Sequence, residues 1–419
     1  MYNWEGKKLL ILGATKLLGN TVKTAQKYGA KTIVIDYYEN SPAKKIADES
    51  YLISTTDVDK VCALIKEKQI DGILTGFMDS MLPYYKEICE KSGLPCYLTS
   101  QEQLDFAVKK EVFKKYLDDF EIPTVKEADK NTVDFPVIVK PVDNSGARGI
   151  SICHNKTELE KGIDLALEFS KSKKYLIEKY LDYKEATVFY LFVNGEAYFT
   201  LMGDRHVAPV KDGFIKLPTG YTFPSEYTKT FMETLEPKFQ KLFKKLGIQN
   251  GMMFIQCFID ENGTIIPYEP GFRLTGSLEY ILLDKVCGYN PLEMMINFAL
   301  TGKMAESDEV SKINPVDLKK CYNISCLLRD GEIKKIEGVE KLKNTKGIID
   351  VYESYEEGSI LTENVWGKLA QIGVRLFVVP DNQTHYEKIQ NDIKNTLKII
   401  DTNNKNMIIN YLIEDSGNA

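Results

Sequence analysis

Between residues 7 and 98 the chain alternates short apolar runs with segments of helical spacing. "KLLILGA" (8–14), "KTIVIDY" (31–37) and "IDGILTG" (70–76) are compact apolar runs bounded by charge or Gly, as buried strands are. "LGNTVKTAQKYG" and "LPYYKEICEKSG" repeat apolar residues three and four apart and stop at Gly29 and Gly93; "VDKVCALIKEKQ" has the same spacing. Strand–helix alternation with short Gly-rich turns predicts a Rossmann-like parallel sheet with helices on both faces, filling residues 1–99. The turn "LGATKLLG" lacks G-x-G-x-x-G and the GK[ST] ending of a P-loop, so by itself it is a strand-to-helix turn.

From residue 100 the pattern changes. A helix is predicted from Ser100 to Asp118, then strands at "FPVIVKP" (135–141) and "GISICHN" (149–155). A helix from about Thr157 to Ser170 follows, with Thr157 and Glu160 as a capping box, and then the strand "KYLIEKYL" (174–181). Two long hairpins turn at Asn194-Gly195 and Asn262-Gly263, separated by a helix at about 225–246. The charged stretch 301–315 is the expected linker. The tail mixes strands ("CYNISCLLRDGEI", "RLFVVP") with a helix near 383–400.

The hairpins permit a register argument. A two-residue turn at Asn262-Gly263 places Gln256 directly opposite Glu269, with Cβ atoms about 5 Å apart on one face. Two oxygen-bearing side chains so placed suit Mg²⁺, which takes few protein ligands; a solvated polar pair has the same pattern. Arg273 follows within reach of the same end. A two-residue turn at Asn194-Gly195 likewise places Glu185 opposite Asp204, with Arg205 and His206 next in line.

Charge and composition narrow the function classes. The net charge is −6, against a nucleic-acid partner, and no apolar run approaches the roughly 18 residues of a membrane span. Lys7-Lys8 before "LLILGA" has a faint signal-peptide look, but Thr15 and Lys16 break the run and a first buried strand is the better reading. Eight scattered Cys form no C-x-x-C and no zinc-like pairs, which fits a reducing cytoplasm. Only five of the 54 basic residues are Arg: 148, 205, 273, 329 and 375. Where Lys is the default surface cation, Arg marks places for a planar, bidentate, permanently charged fork.

One stretch asks for a ligand. "VIVKPVDNSGARGI" (137–150) runs a buried strand into Lys140 and then into a Gly-rich loop carrying Arg148. Gly lets backbone N–H groups approach phosphate oxygens without a Cβ clash; a mobile hairpin tip with an incidental Arg is the plain alternative. With "IEKYLDYKE" (177–185) and "EPGFRLTG" (269–276), this stretch resembles the ATP-grasp superfamily of carboxylate–amine ligases, in the L-amino acid ligase, carbamoyl-phosphate-synthase-like and biotin-carboxylase-like branch.

The resemblance covers roughly residues 5–300. It implies an α/β and α+β chain: the N-terminal domain (1–99), an ATP-grasp domain (100–305) whose two α+β subdomains clamp ATP, with a small lid subdomain at about 121–182, and a C-terminal α+β subdomain (306–419). It implies that Lys110 and Lys140 reach the phosphates and that Ser145, Gly146, Arg148 and Gly149 belong to the loop closing over them. Glu178 would meet the adenine amino group, the backbones of Lys179 and Leu181 the ring edge, and Glu185 the ribose. Gln256 and Glu269 would ligate Mg²⁺ (Mn²⁺ possible in its place), and Arg273, with Lys140, would act on the transferred phosphoryl group. The family's usual Glu-x-Asn is here Glu269-Pro270-Gly271, which leaves the third metal ligand open. Asp204, Arg205, His206 and Arg273 are the candidate substrate contacts, and "LPTGYTFPSEY" (217–227) either lines the acceptor pocket or is a packed loop.

The implied activity is ADP-forming: a carboxylate becomes an acyl phosphate and an amine displaces phosphate. A carboxylase using bicarbonate and a non-catalytic nucleotide-binding module are the alternatives. Small-molecule substrates, a possible homodimer, and neither nucleic acid nor membrane are the expected partners.

Overall fold

A computed structural model describes residues 2–143, 149–208, 217–305, 310 and 313–411. Strands β1 (Lys8–Leu12), β2 (Lys31–Asp36), β3 (Glu49–Leu52) and β4 (Gly72–Thr75) form a parallel sheet in the order β3-β2-β1-β4. The apolar runs of β1, β2 and β4 are buried on both faces because helices cover both, whereas the edge strand β3 is partly exposed. One of the covering helices, Pro291–Thr301, comes from far along the chain. Gly72 admits it: a Cβ there would lie 2.1 Å from the Ala299 carbonyl oxygen. Trp4 Nε1 donates to Asn297 Oδ1 at 2.9 Å and Tyr28 to Glu293 at 2.8 Å, fastening the same helix.

The predicted helix at 100–118 is two helices, Gln101–Val108 and Lys110–Asp119, broken where Lys109 takes an extended backbone. The break puts Lys110 at the first turn of the second helix. A small antiparallel sheet follows, order β6-β5-β7, from β5 (Val137–Pro141), β6 (Ser151–Cys153) and β7 (Tyr175–Lys179). Val137 and Val139 face a core with Leu159, Ala166 and Ile177, so alternation sends Ile138 and Lys140 to the other side. The helix behind this sheet is Lys156–Phe169. Its cap is Asn155 rather than Thr157: Asn155 Oδ1 accepts from the Glu158 N–H, and Glu158 accepts from the His154 N–H.

The largest sheet has eight strands, ordered β12-β11-β8-β9-β10-β13-β17-β15. They are β8 (Lys184–Val193), β9 (Glu196–Val207), β10 (Pro218–Phe223), β11 (Gly251–Ile259), β12 (Ile265–Gly271), β13 (Cys321–Leu327), β15 (Ile348–Glu353) and β17 (Ile372–Val378). Strands β14 (Gly331–Glu337), β16 (Ile360–Leu361) and β18 (Lys398–Asp401) make a separate sheet, order β16-β14-β18. Strand β10 disposes of the packed-loop reading of 217–227, since Pro218–Phe223 is an interior strand of the large sheet. The predicted helix at 225–246 is also two, Thr228–Thr234 and Glu236–Leu246, broken at Leu235 just ahead of Pro237. The final helix is Gln383–Thr396, and the residues expected to extend it enter β18.

The two long hairpins depart from simple register in opposite ways. At Asn194-Gly195 both residues have positive φ, as a type I′ turn requires, and Val193 pairs with Glu196. Then Tyr190 pairs with Phe199 and Phe189 with Leu201, so Thr200 is an extra residue. Beyond this bulge Glu185 faces Arg205, not Asp204. In the second hairpin Ile259 pairs with Ile265, one residue off a two-residue turn, and an extra Tyr268 restores the count. Gln256 therefore does lie opposite Glu269.

Candidate functional site

A cleft of about 290 Å³ lies between the small sheet and the large one. Lys110, Lys140, Glu178, Lys179, Leu181, Glu185, Arg205, Gln256, Glu269 and Arg273 all line it, although they come from nine different elements or loops. Ile138 and Ile152, paired across β5 and β6, contribute an apolar wall. Most small-molecule sites have this composition: apolar walls and a few convergent polar groups.

The charged groups are arranged as linked pairs. Lys140 and Glu178 project from facing strands, and Lys140 Nζ stands 2.5 Å from Glu178 Oε2. Lys114, one helical turn beyond Lys110, takes the other oxygen, Glu178 Oε1, at 2.7 Å. Burial alone would raise the Glu178 pKa, but the two ammonium groups outweigh it and hold the carboxyl below its ordinary value. Lys110 Nζ donates to Glu269 Oε1 at 3.1 Å. Burial would lower the Lys110 pKa; the Glu269 carboxylate reverses that and raises it. Glu269 in turn is lowered against its burial by Lys110, with Lys140 and Arg273 adding to the effect.

Arg273 makes a bidentate pair with Asp79, Nε to Oδ1 at 2.7 Å and Nη2 to Oδ2 at 2.6 Å. Its guanidinium also lies 5.0 Å from the centre of the Phe254 ring. Asp79 follows β4, at the carboxyl end of a parallel strand, where α/β sheets gather their ligands. Phe77 reaches this turn with φ +67°, a conformation a bulky side chain rarely adopts. Arg205 pairs with Glu185, which also accepts from the Tyr268 hydroxyl at 3.0 Å. The extra residue of the second hairpin thus aims its own side chain into the cleft.

The remaining sequence candidates stand elsewhere. Asp204 and His206 do not line the cleft: alternation along β9 turns them to the face opposite Arg205. There Asp204 accepts from the Ser225 hydroxyl, and His206 Nε2 lies 2.8 Å from the Thr222 hydroxyl. Gly149 ends the loop rather than lining the cleft; at φ +76° a Cβ would meet Phe169 at 2.7 Å. Ser145, Gly146 and Arg148 lie outside the described residues. Lys179 sends its ammonium outward to Asp134, 2.6 Å away, leaving its backbone at the cleft wall.

Several contributors were not foreseen. Asp79, Lys114 and Phe254 come from segments read only as scaffold, although Lys114 is an i+4 neighbour of Lys110. Gly367, Lys368 and Leu369 bring the C-terminal region to the cleft, and no motif marks them.

The fit to Mg²⁺ rests on donor chemistry. Gln256 and Glu269 supply two oxygens on one face, and among the described residues no cluster of three His, Cys, Asp or Glu is placed to hold a metal. Gly271 shows why the family's third ligand is missing: a Cβ there would lie 2.2 Å from the Phe254 ring. Two protein oxygens with phosphate oxygens and waters make an ordinary Mg²⁺ shell, so these residues fit a metal that arrives with a nucleotide.

Comparison with known proteins agrees with this geometry. Residues 133–279 match the ATP-grasp domain family. Similar curated proteins include the formate-dependent phosphoribosylglycinamide formyltransferases of Bacillus subtilis (26% identical, covering 50% of this chain and 57% of that protein) and Sulfurisphaera tokodaii (25% identical, 66% and 74%). The chain thus spans little more than half the length of the Bacillus subtilis relative. Among solved structures, an L-amino acid ligase from Bacillus licheniformis superposes with a TM-score of 0.75 at 20% identity, covering 95% of this chain and 99% of that one. Phosphoribosylglycinamide synthetase from Anaerococcus prevotii superposes at 0.72 and 18% identity, covering 94% and 100%. The domain match places an ATP-grasp domain at residues 133–279, and the superposed structures share the fold of the chain.

Proposed function

We propose that the chain is an ATP- and Mg²⁺-dependent carbon–nitrogen ligase that activates a carboxylate as an acyl phosphate, releases ADP, and couples the acyl group to an amine. The observation that carries this reading is the convergence of Lys110, Lys140 and Arg273 on one cleft that also holds the Gln256–Glu269 pair. Phosphoryl transfer needs mainly positioning and charge neutralisation, and these groups supply both.

In this reading Lys140 and Lys110 leave their carboxylate partners, or share them, to hold phosphate oxygens. Glu178 stays ionised beside Lys114 and accepts from the adenine amino group, while the backbones of Lys179 and Leu181 edge the ring. Glu185, steadied by Arg205 and Tyr268, takes the ribose hydroxyls. Gln256 and Glu269 would hold Mg²⁺, which would neutralise charge on the phosphates. Arg273, kept in one orientation by Asp79 and Phe254, faces the phosphoryl group as the carboxylate oxygen attacks it, and then the phosphate that leaves when the amine attacks the acyl carbon. The small sheet would cover the nucleotide and exclude water. The formate named for the curated relatives makes small carboxylic acids the first donors to try.

The test is product release from Mg-ATP, with and without pooled amino acids and small carboxylic acids including formate and bicarbonate. Pool-dependent ADP and phosphate are expected. AMP and pyrophosphate would mean adenylation and overturn the proposal, as would ADP release with bicarbonate that needs no amine. No turnover together with tight ATP binding by calorimetry would favour a nucleotide-binding module.

A further inference from the structure

The cleft-facing side of the large sheet does not end at Arg205. Glu185 pairs with Arg205, Arg205 with Tyr221, and Tyr221 with Asn323. In the next row Ser325 pairs with Arg375, and Arg375 with Tyr352. Tyr322, Ile324, Val374 and Leu376 pack into an apolar cluster on the other face, so alternation commits Asn323, Ser325 and Arg375 to the Arg205 face. The segment after Arg273 lies against this row: Asn323 Nδ2 donates to the Ser277 carbonyl at 2.7 Å, and Ser277 Oγ to the Tyr221 hydroxyl at 3.4 Å.

Two opposite charges are buried here without meeting. Arg375 is 6% exposed, yet its guanidinium makes one hydrogen bond, to Ser325 Oγ at 2.7 Å, and no ion pair among the described residues. Five donors in so dry a place are rarely left so underused. Glu279 is 1% exposed; Oε2 accepts from the Thr275 hydroxyl, and Oε1 has no hydrogen-bond partner. Burial raises the Glu279 carboxyl to about 7, against the pull of Arg375 and Arg273. The pair is close enough to interact through space but not to touch. Arg205 Nε and Asn323 Oδ1, on the same face, are also buried without partners. Leu278, the residue before Glu279, has φ +62°.

A buried fork for an anion and a buried carboxylate with a vacant oxygen, held apart, complement a molecule that carries both charges. We propose that Arg375 and Glu279 form the binding site of the amine substrate and that this substrate is a small amino acid, its carboxylate on Arg375 and its ammonium on Glu279. The proposal rests on the ligase reading above and names the substrate class of that reading.

The test is calorimetry on the whole chain saturated with Mg²⁺ and a non-hydrolysable ATP analogue. The probes are the twenty L-amino acids, each binder then compared with its carboxamide and its N-acetyl derivative. Some free amino acids are expected to bind, and both blocked forms to bind at least ~30-fold more weakly, the scale of losing a buried charged contact. Arg375→Met should bind the free acid that much more weakly yet no longer distinguish it from the carboxamide; Glu279→Gln should do the same for the N-acetyl form. Retained binding of the ATP analogue shows that a variant is folded, and Arg375→Lys serves if the Met variant is not. Equal binding of blocked and free forms, unchanged affinity in the Arg375 variants, or no amino acid bound beside a bound analogue would each overturn the proposal. An analogue that fails to bind the unmodified chain would instead remove the ligase reading, and amino acid binding would still decide the site.

Discussion

Lys140 and Lys114 hold the two oxygens of one buried carboxylate, Glu178, from opposite sides: one from the strand beside it, the other from a helix more than twenty residues earlier. The arrangement keeps Glu178 ionised in a dry wall and gives each Lys a substitute if the other is lost. Lys140→Ala should therefore leave the chain folded, with Lys114 still satisfying Glu178. ATP turnover should fall by roughly 100-fold or more if Lys140 steadies charge in the transition state, the scale of losing one such donor. Circular dichroism melting and ADP release, measured on the same preparation, check both halves; turnover near that of the unmodified chain would detach Lys140 from the nucleotide.

Lys114 makes the complementary case. It does not line the cleft, but it is one of the two cations that hold Glu178 below its ordinary pKa. Lys114→Met should spare phosphate contacts and weaken nucleotide binding through Glu178. The expected result is a raised KM for ATP with a smaller change in kcat, growing as the pH falls toward the released carboxyl. A uniform loss of kcat at every pH would assign Lys114 to the phosphates instead.

Glu269 is tied to both Lys110 and the proposed metal position. Glu269→Gln removes the charge and keeps the shape, so the Mg²⁺ concentration for half-maximal turnover should rise several-fold, the ligand charge being the main attraction for a hard cation. A Mg²⁺ titration that superposes on that of the unmodified chain would take Glu269 out of the metal site. Gly271 is a separate question. Gly271→Asn supplies the oxygen the family usually has, but its Cβ meets the Phe254 ring at 2.2 Å. Overpacking of this kind costs about 1–3 kcal/mol. Combining it with Phe254→Ala should recover part of that loss in denaturant melts, because the clash goes with the ring; no recovery would mean that Gly271 is required for another reason.

The parts legible in the sequence are those set by local pattern. Alternating strands and helices gave the parallel sheet, and the apolar run into Lys140 gave β5 and the side its ammonium takes. Register was legible only where irregularities cancelled. Gln256 faces Glu269 because a longer turn and the extra Tyr268 offset each other, whereas the single extra Thr200 moves Glu185 from Asp204 to Arg205. No periodicity announces a bulge. Asp79, Arg375 and Gly367–Leu369 reach the cleft face only through contacts distant in sequence, which no local spacing encodes.

Glu279 offers a test that needs no substrate. Its folded carboxyl sits at about 7, pushed up chiefly by burial, whereas the unfolded chain returns it to its ordinary value of 4.5. Between those values the folded state holds a proton that the unfolded state has released. Stability contributed by this group is then full below about pH 4.5 and is lost as pH rises to about 7, above which the loss is constant. Glu279→Gln has no such titration. Relative to the unmodified chain it should be more stable at pH 8 than at pH 5, the difference opening across that window. Melting curves of both proteins from pH 5 to 8 measure it directly. A difference that stays flat with pH would mean that Glu279 ionises as freely in the folded chain as in the unfolded one, and that its vacant oxygen is reached by water.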